Sequence, residues 1–290
     1  MAPPGSTFKG IAIVTHPNLP QSTGEATDIC TFLTQRGVEA QHTQLQDENL
    51  AHRLREGEVD LLIALGGDGT MLRAGHLCGP VSVPILGINY GHFGFLIEIR
   101  QNQWRDYIPR LLAGDYWLEK RMMLTAELFH NNEPTGKWEV LNEAVVGRGQ
   151  MVHPVQLVTY LDHRLLTTYV ADALIVSTAT GSTAYALAVG GPILPPELRN
   201  ILLIAVAPHF SIDRAIVLAE GASVSVTVHT NYDAVLCLDG QNPISLASED
   251  QVNVRASDYN AQFVRFQDPG YFYRNLTPHM SKNPSTGIPK

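Results

Sequence analysis

Three cysteines stand in 290 residues. Cys30, Cys78 and Cys237 lie far apart, and no CxxC pair occurs. That rules out a disulfide framework and a cysteine-based structural zinc site, and it suits a reducing compartment. Long hydrophobic runs are missing as well. Stretches such as 61–65 and 201–207 are far too short to span a bilayer. The first ten residues hold Pro, Gly and Ser in place of a charged and then apolar signal segment. A soluble, cytoplasmic protein without a membrane partner is therefore expected. Positive charge is scarce too: 20 Lys and Arg against 28 Asp and Glu give a net charge of -8. With no basic stripe along the chain, nucleic acid is not an expected partner. Several catalytic signatures are also lacking. There is no glycine-rich loop closing on Gly-Lys-Ser/Thr, no G-x-G-x-x-G, no G-x-S-x-G and no HExxH. The eleven histidines show no metal-ligand spacing, and a lone one such as His209 reads as structural. No repeat or low-complexity tract is present.

What remains is an ordinary globular balance, 44% hydrophobic and 17% charged, long enough for two domains. Up to about residue 118, short apolar runs alternate with helical periodicity. Strands are expected at 11–14, 38–43, 59–65 and 83–89, and helices around 26–33, 50–55 and 104–112, with Gly37 and Gly114 closing two of them. Buried strands separated by helices predict a doubly wound parallel sheet. Beyond that point strand-like segments crowd together, at 124–129, 138–146, 156–161, 165–170, 173–176, 202–206, 215–218, 224–228, 234–238 and 252–254. Only 182–189 reads as helical, with Ser182 or Thr183 as its N-cap. The fold class expected is α/β plus all-β, an N-terminal doubly wound parallel-sheet domain over 1–118 and a β-sandwich-like domain over 119–267. The tail 268–290 is expected either to pack back on the first domain or to be disordered, with disorder setting in from Pro278.

Three segments carry candidate chemistry. Gly66-Gly67-Asp68-Gly69-Thr70 follows the buried strand 59–65 and precedes a helix expected near Met71. Such a loop lies at the carboxyl end of a parallel strand, where ligands bind, and its glycines let backbone N–H groups approach phosphate. Asp68 would repel a bare anion there, so its function reading is proton acceptance or metal binding; a tight Asp-Gly turn is the bland alternative. Asn142-Glu143 offers a donor and acceptors suited to paired ribose hydroxyls, although polar neighbours at a strand end are usually just solvated. Residues 177–185, Ser-Thr-Ala-Thr-Gly-Ser-Thr-Ala-Tyr, supply hydroxyls and backbone donors for a phosphate or base edge, and Tyr185 could stack on a base. Alternatively this is a capped helix with Tyr185 in the core. Cys30 and Cys78 read as small buried hydrophobes.

Taken together, these segments resemble the NAD kinase family over residues 9–273. The Gly-Gly-Asp-Gly-Thr loop is followed in the family's order by Gly87-Ile88-Asn89-Tyr90-Gly91-His92-Phe93-Gly94-Phe95-Leu96, Arg121-Met122-Met123-Leu124 and Leu141-Asn142-Glu143. Thr180-Gly181-Ser182-Thr183-Ala184-Tyr185, Gly190-Gly191-Pro192, Pro208-His209 and Asp239-Gly240-Gln241 complete the series. The resemblance implies phosphorylation of the 2′-hydroxyl of the adenosine ribose of NAD, giving NADP. ATP is the implied donor, with inorganic polyphosphate as a further one, and the divalent cation is Mg2+; no residue is assigned to the metal. It further implies Asp68 as general base with Gly69 beside the substrate, and Gly66, Gly67 and Thr70 as the phosphate loop. Asn142 and Glu143 would hold ribose hydroxyls. Thr183, Ala184 and Tyr185 would line a base site with Asp172, and Phe95 would form an apolar wall. Arg73 and Arg148 are candidates for phosphate contacts, and His153 and Gln241 for further ligand contacts. A homodimer or homotetramer is implied as well.

The chain departs from the family's habits at Ala173, Ala179, Ala188 and Ala215. The family favours Gly at 173 and Pro at 179 and 215. At Ala188 it commonly has a serine able to bond the base, a loss of roughly 0.5–1.5 kcal/mol. Two other readings stay open. A lipid or sphingoid-base kinase shares the Gly-Gly-Asp-Gly-Thr loop, and a non-catalytic dinucleotide sensor would keep the binding residues. Asn142-Glu143 and 180–185 favour the dinucleotide over the lipid.

Overall fold

The computed structural model describes residues 8–17, 19–91, 94–151, 153–209 and 212–280. They form two compact units: residues up to Lys120 with those from Ala261 onward, and Arg121–Asn260.

In the first unit the chain runs β1 (Gly10–Thr15), α1 (Gln21–Thr34), β2 (Glu39–Gln44), α2 (Glu48–Arg55), β3 (Leu61–Gly66), α3 (Asp68–Cys78), β4 (Ile85–Asn89), β5 (Ile99–Arg100) and α4 (Trp104–Leu112). The sheet order is β2-β1-β3-β4, with every neighbouring pair parallel and β5 added beside β4. Every residue of β1, β3 and β4 is buried. Helices on both faces explain why those strands are continuous apolar runs, whereas β2 at the edge is polar, Glu-Ala-Gln-His-Thr-Gln. Gly37, at φ +78°, ends α1 in a Schellman motif: its N–H donates to Thr34 O at 3.0 Å and that of Val38 to Leu33 O at 3.2 Å. Ile13, Ile63, Ile88, Ile29, Trp104 and Val264 share the core. α3 starts at Asp68 itself, three residues earlier than the expected start near Met71, because Gly67 alone suffices to turn strand into helix.

The second unit is built from β6 (Trp117–His130), β7 (Glu133–Val140), β8 (Glu143–Arg148), β9 (Val155–Leu161), β10 (Arg164–Ala171), β11 (Ala173–Ser177), α5 (Tyr185–Ala188), β12 (Asn200–Val206), β13 (Ile216–Ala219), β14 (Ser223–His229), β15 (Ala234–Leu238), β16 (Ile244–Leu246) and β17 (Gln251–Arg265). β6 and β17 carry the chain between the units, their ends belonging to the first. One layer is an antiparallel sheet in the order β13-β12-β11-β8-β15-β16. The other holds β10, β9, β14 and the start of β17, with the β6–β7 hairpin. A single core takes Val146, Leu174 and Leu236 from the first layer and Leu124, Leu157 and Val226 from the second, which makes the unit a sandwich.

Four expectations need correction here. The strand read across 138–146 is two strands, broken at Leu141-Asn142, whose amides turn toward a side-chain carboxylate described below. The helix expected at 182–189 is a 3-10 turn, Gly181–Thr183, and the one-turn α5, separated by Ala184 at φ -103°, ψ -123°. Neither Ser182 nor Thr183 caps it: Ser182 Oγ donates to Ala179 O at 2.7 Å and Thr183 Oγ1 to Thr180 O at 3.1 Å. β17 spans Gln251–Arg265, well past 252–254, because polar Ser257, Asp258 and Asn260 hid its continuation. Finally, Pro278 to Met280 belong to α6 (Tyr271–Met280) and are not disordered; residues 281–290 lie outside the described ones. No described helix is long and apolar enough to cross a membrane.

Candidate active site

The loop of the first unit owes its shape to close packing. β3 ends on Gly66, where a Cβ would overlap the side chain of Thr70; Thr70 is itself buried. The N–H groups of Thr70 and Met71 donate to Gly67 O at 2.9 and 3.2 Å, so the helix begins at once. Asp68 is its first residue, where the helix dipole favours an anion. Its carboxylate accepts from Phe95 N–H at 2.9 Å (Oδ2) and Leu96 N–H at 3.2 Å (Oδ1). Both bonds are charge-assisted and fix the carboxylate plane. Gly94 makes room for this: a Cβ there would fall on the Asp68 carboxylate. Gly69 is exposed and has open space where its Cβ would be. Arg73 is exposed on the same helix, with Nη1 3.0 Å from His16 Nε2 at the carboxyl end of β1. The ring of Phe95 lies 6.0 Å from that of Phe272, tilted by 44°.

In the second unit, Asn142 and Glu143 open β8 opposite the end of β11, where Ser177 pairs with Glu143. Thr178 clamps them, donating from Oγ1 to Leu141 O at 2.6 Å and from N–H to Asn142 O at 2.8 Å. Ser177 Oγ adds a bond to Asn142 O at 3.1 Å. On the other side, the Asp239 carboxylate accepts from the N–H groups of Leu141 (2.7 Å), Asn142 (2.7 Å) and Glu143 (2.9 Å). The Glu143 side chain is buried and its Oε2 has no hydrogen-bond partner. Burial first, and then the Asp239 charge, lift its pKa to about 8, so near neutrality the carboxyl holds its proton. Buried Arg121 donates from Nη1 to Thr180 Oγ1 at 3.2 Å. Tyr185 is 42% exposed, so it is not a core ring; Thr183 and Ala184 are half-buried and Ala188 is exposed. Gln241 is exposed one turn after Asp239, its N–H bonded to Leu238 O at 2.9 Å. These residues gather at one end of β8, β11 and β15.

Three site candidates of this unit gather at the opposite end. Arg148 Nε lies 3.0 Å from Asp172 Oδ1, and its N–H donates to Asp172 O at 2.9 Å. The guanidinium expected to meet phosphate is thus paired with the carboxylate expected in the base site. His153 stacks on Tyr232, with centroids 4.3 Å apart and planes 13° apart. The length of β11, about 16 Å at strand rise, separates Asp172 from Thr178. Asp172 therefore does not line a site with Thr183, Ala184 and Tyr185 inside one chain. The reason is that Asp172 and Thr178 flank β11 at its opposite ends.

Sequence reasoning gave no role to several groups of the site. Asp239 entered only as part of the stretch Asp239-Gly240-Gln241 that resembles the family, although an Asp-Gly after a buried strand is also where a carboxylate can meet backbone donors. The N–H groups of Phe95 and Leu96 leave no sequence signal. Ala173, unusual for the family, pairs with Gly147, where a second Cβ would crowd the Ala173 methyl. Among the described residues no group of three or more His, Cys, Asp and Glu could hold a metal ion.

Comparison with known proteins places both units in one lineage. Residues 19–116 match the ATP-NAD kinase N-terminal domain, and residues 141–266 the ATP-NAD kinase C-terminal domain. The NAD kinase of Dehalococcoides mccartyi is 34% identical over 95% of this chain and 97% of its own length. That of Citrifermentans bemidjiense is 36% identical over 91% and 96%. Two solved structures share the fold. Yeast NADH kinase complexed with NADH superposes with a TM-score of 0.82 at 21% identity, covering 98% of this chain and 93% of that one. An NAD kinase from Archaeoglobus fulgidus in complex with ATP gives 0.73 at 23% identity, with 92% and 97% covered. With a carboxylate oriented at a strand-to-helix turn in one unit, a clamped Asn-Glu pair in the other and both family domains matched in order, the chain belongs to the NAD kinase family of phosphotransferases.

Proposed function

We propose that the protein transfers a phosphoryl group from ATP to the 2′-hydroxyl of the adenosine ribose of NAD, with Asp68 as the general base. The observation that carries this reading is the Asp68 carboxylate, fixed by two backbone donors and still able to accept a hydroxyl proton. Phosphoryl transfer asks little covalent chemistry of a protein: an oriented hydroxyl, a proton acceptor and neutralised charge. Asn142 and Glu143 hold ribose hydroxyls. A protonated Glu143 offers one donor and one acceptor, so it can bond a hydroxyl in both senses. Tyr185 supplies an exposed ring for a base, and Gly66, Gly67, Gly69 and Thr70 the phosphate loop. Arg73 supports phosphate.

A divalent cation such as Mg2+ neutralises donor phosphates in this chemistry. Asp172, Arg148 and His153, at the far end of the sheet, would meet a dinucleotide bound to a second copy of the chain in a homodimer or homotetramer.

The test is NADP formation from NAD, ATP and Mg2+ by the purified protein, with Asp68→Asn alongside. Turnover by the parent and its near-abolition in the variant are expected, with NAD binding retained. NAD binding without NADP formation under varied donors and metals would overturn the enzymatic reading. Phosphorylation of a lipid in place of NAD would overturn the substrate.

A further inference from the structure

The segment that gives its amides to Asp68 is gripped from behind by the returning end of the chain. Leu96 N–H faces Asp68, while Leu96 O accepts from Arg265 Nη1 at 2.9 Å. Two residues on, the Glu98 carboxylate accepts from the N–H groups of Phe266 (3.0 Å) and Gln267 (2.6 Å). Arg265 is 2% exposed. Its Nε and Nη2 both lie against Glu119 Oε2, at 2.8 and 2.7 Å, and Glu119 is buried as well. Tyr271, at the start of α6, donates its hydroxyl to the same carboxylate at 3.1 Å. A fully buried arginine needs a fixed acceptor for each arm, since an unpaired charge there is strongly destabilising. Here Nε donates to Glu119, Nη2 lies within ion-pair distance of the same carboxylate without a hydrogen bond of its own, and Nη1 reaches the residue whose amide orients Asp68.

We propose that Arg265, anchored by Glu119, is a positioning residue for the Asp68 carboxylate, acting through Leu96. The proposal rests on the reading of Asp68 as the base. Glu119 fixes the guanidinium, the guanidinium fixes the Leu96 carbonyl, and the backbone so held presents the amides of Phe95 and Leu96 to Asp68. A lysine at 265 keeps the charge opposite Glu119 but has no planar fork with which to reach Leu96 O at the same time.

The experiment compares Arg265→Lys with Tyr271→Phe, Asp68→Ala and the parent, by steady-state kinetics with NAD and ATP, thermal melting and amide hydrogen exchange. Arg265→Lys should lower kcat about tenfold, leave KM for NAD and ATP within about twofold, and speed exchange at Phe95 and Leu96. Tyr271→Phe loses a bond to Glu119 but leaves the arm on Leu96, so it should melt earlier with kcat and the exchange at Leu96 near the parent's. Asp68→Ala removes the acceptor and should speed exchange at the same two amides. Unchanged exchange at Phe95 and Leu96 in a folded Arg265→Lys overturns the proposal, as does a fall in kcat matched by Tyr271→Phe. Full turnover by Asp68→Ala would instead overturn the reading of Asp68 as base, whatever Arg265 does.

Discussion

Gly94→Ala isolates the orientation of Asp68 from everything else the loop does. A methyl group at Gly94 would coincide with the Asp68 carboxyl carbon and both oxygens, a separation no non-bonded pair tolerates. What yields is the far end of a side chain, since no backbone atom is among the nearest contacts. The carboxylate must swing by more than about 1 Å, breaking the bonds to Phe95 and Leu96, and misplacement on that scale costs roughly a hundredfold in rate. The fold should lose little, because Asp68 is half-buried and a displaced carboxylate can be solvated. Gly91→Ala is the matched control: nothing lies within 4 Å of a Cβ there. The assay is kcat for NADP formation by folded protein, with thermal melting and circular dichroism. Expected are a fall of about a hundredfold in kcat for Gly94→Ala, a melting temperature within a few degrees of the parent, and no effect from Gly91→Ala. A Gly94→Ala protein that keeps kcat within about threefold would show that turnover does not depend on how Asp68 is held.

Glu143 and Ala188 give two further expectations. Below its ordinary value of 4.5 the Glu143 carboxyl is protonated folded or unfolded; between there and about 8 the unfolded chain ionises while the folded one does not, so rising pH costs the native state stability through that window. Glu143→Gln abolishes that cost, and its melting temperature should gain on the parent's from pH 5 to pH 9, the whole window being worth on the order of 4 kcal/mol; a difference independent of pH would contradict the buried, protonated carboxyl. Ala188→Ser restores the hydroxyl common in the family at an exposed position and should lower KM for NAD about threefold to tenfold; an unchanged KM would mean that residue 188 does not meet the base.

Legibility followed the strength of local signals. The apolar runs 11–14, 59–65 and 83–89 could only be strands covered on both faces, and they are β1, β3 and β4. The glycines at 37 and 114 ended their helices because a left-handed residue is what a Schellman motif requires. Where the signal failed, a tertiary partner decided. The strand read at 138–146 breaks because the Asp239 carboxylate, nearly a hundred residues on, captures the amides of Leu141 and Asn142. Residues 182–189 do not make one capped helix because the Ser182 and Thr183 hydroxyls bond carbonyls behind them. The resemblance joined Asp172 to Thr183 in one base site, and β11 lies between them.

The same contrast separates three carboxyl groups that look alike in sequence. Asp68 and Asp239 each sit against backbone N–H donors, two for the first and three for the second. Glu143 has no donor on Oε2 and lies beside the Asp239 charge, so burial and repulsion keep its proton on near neutrality. In the proposed reaction Asp68 takes the proton of the 2′-hydroxyl, and its carboxylate is oriented by the two amides. In the same proposal Glu143 grips ribose hydroxyls, and the proton it keeps near neutrality would give it a donor as well as an acceptor. Asp239 then does two jobs with one charge. It shapes the backbone that presents Asn142 and Glu143, and it holds Glu143 in the form that can donate.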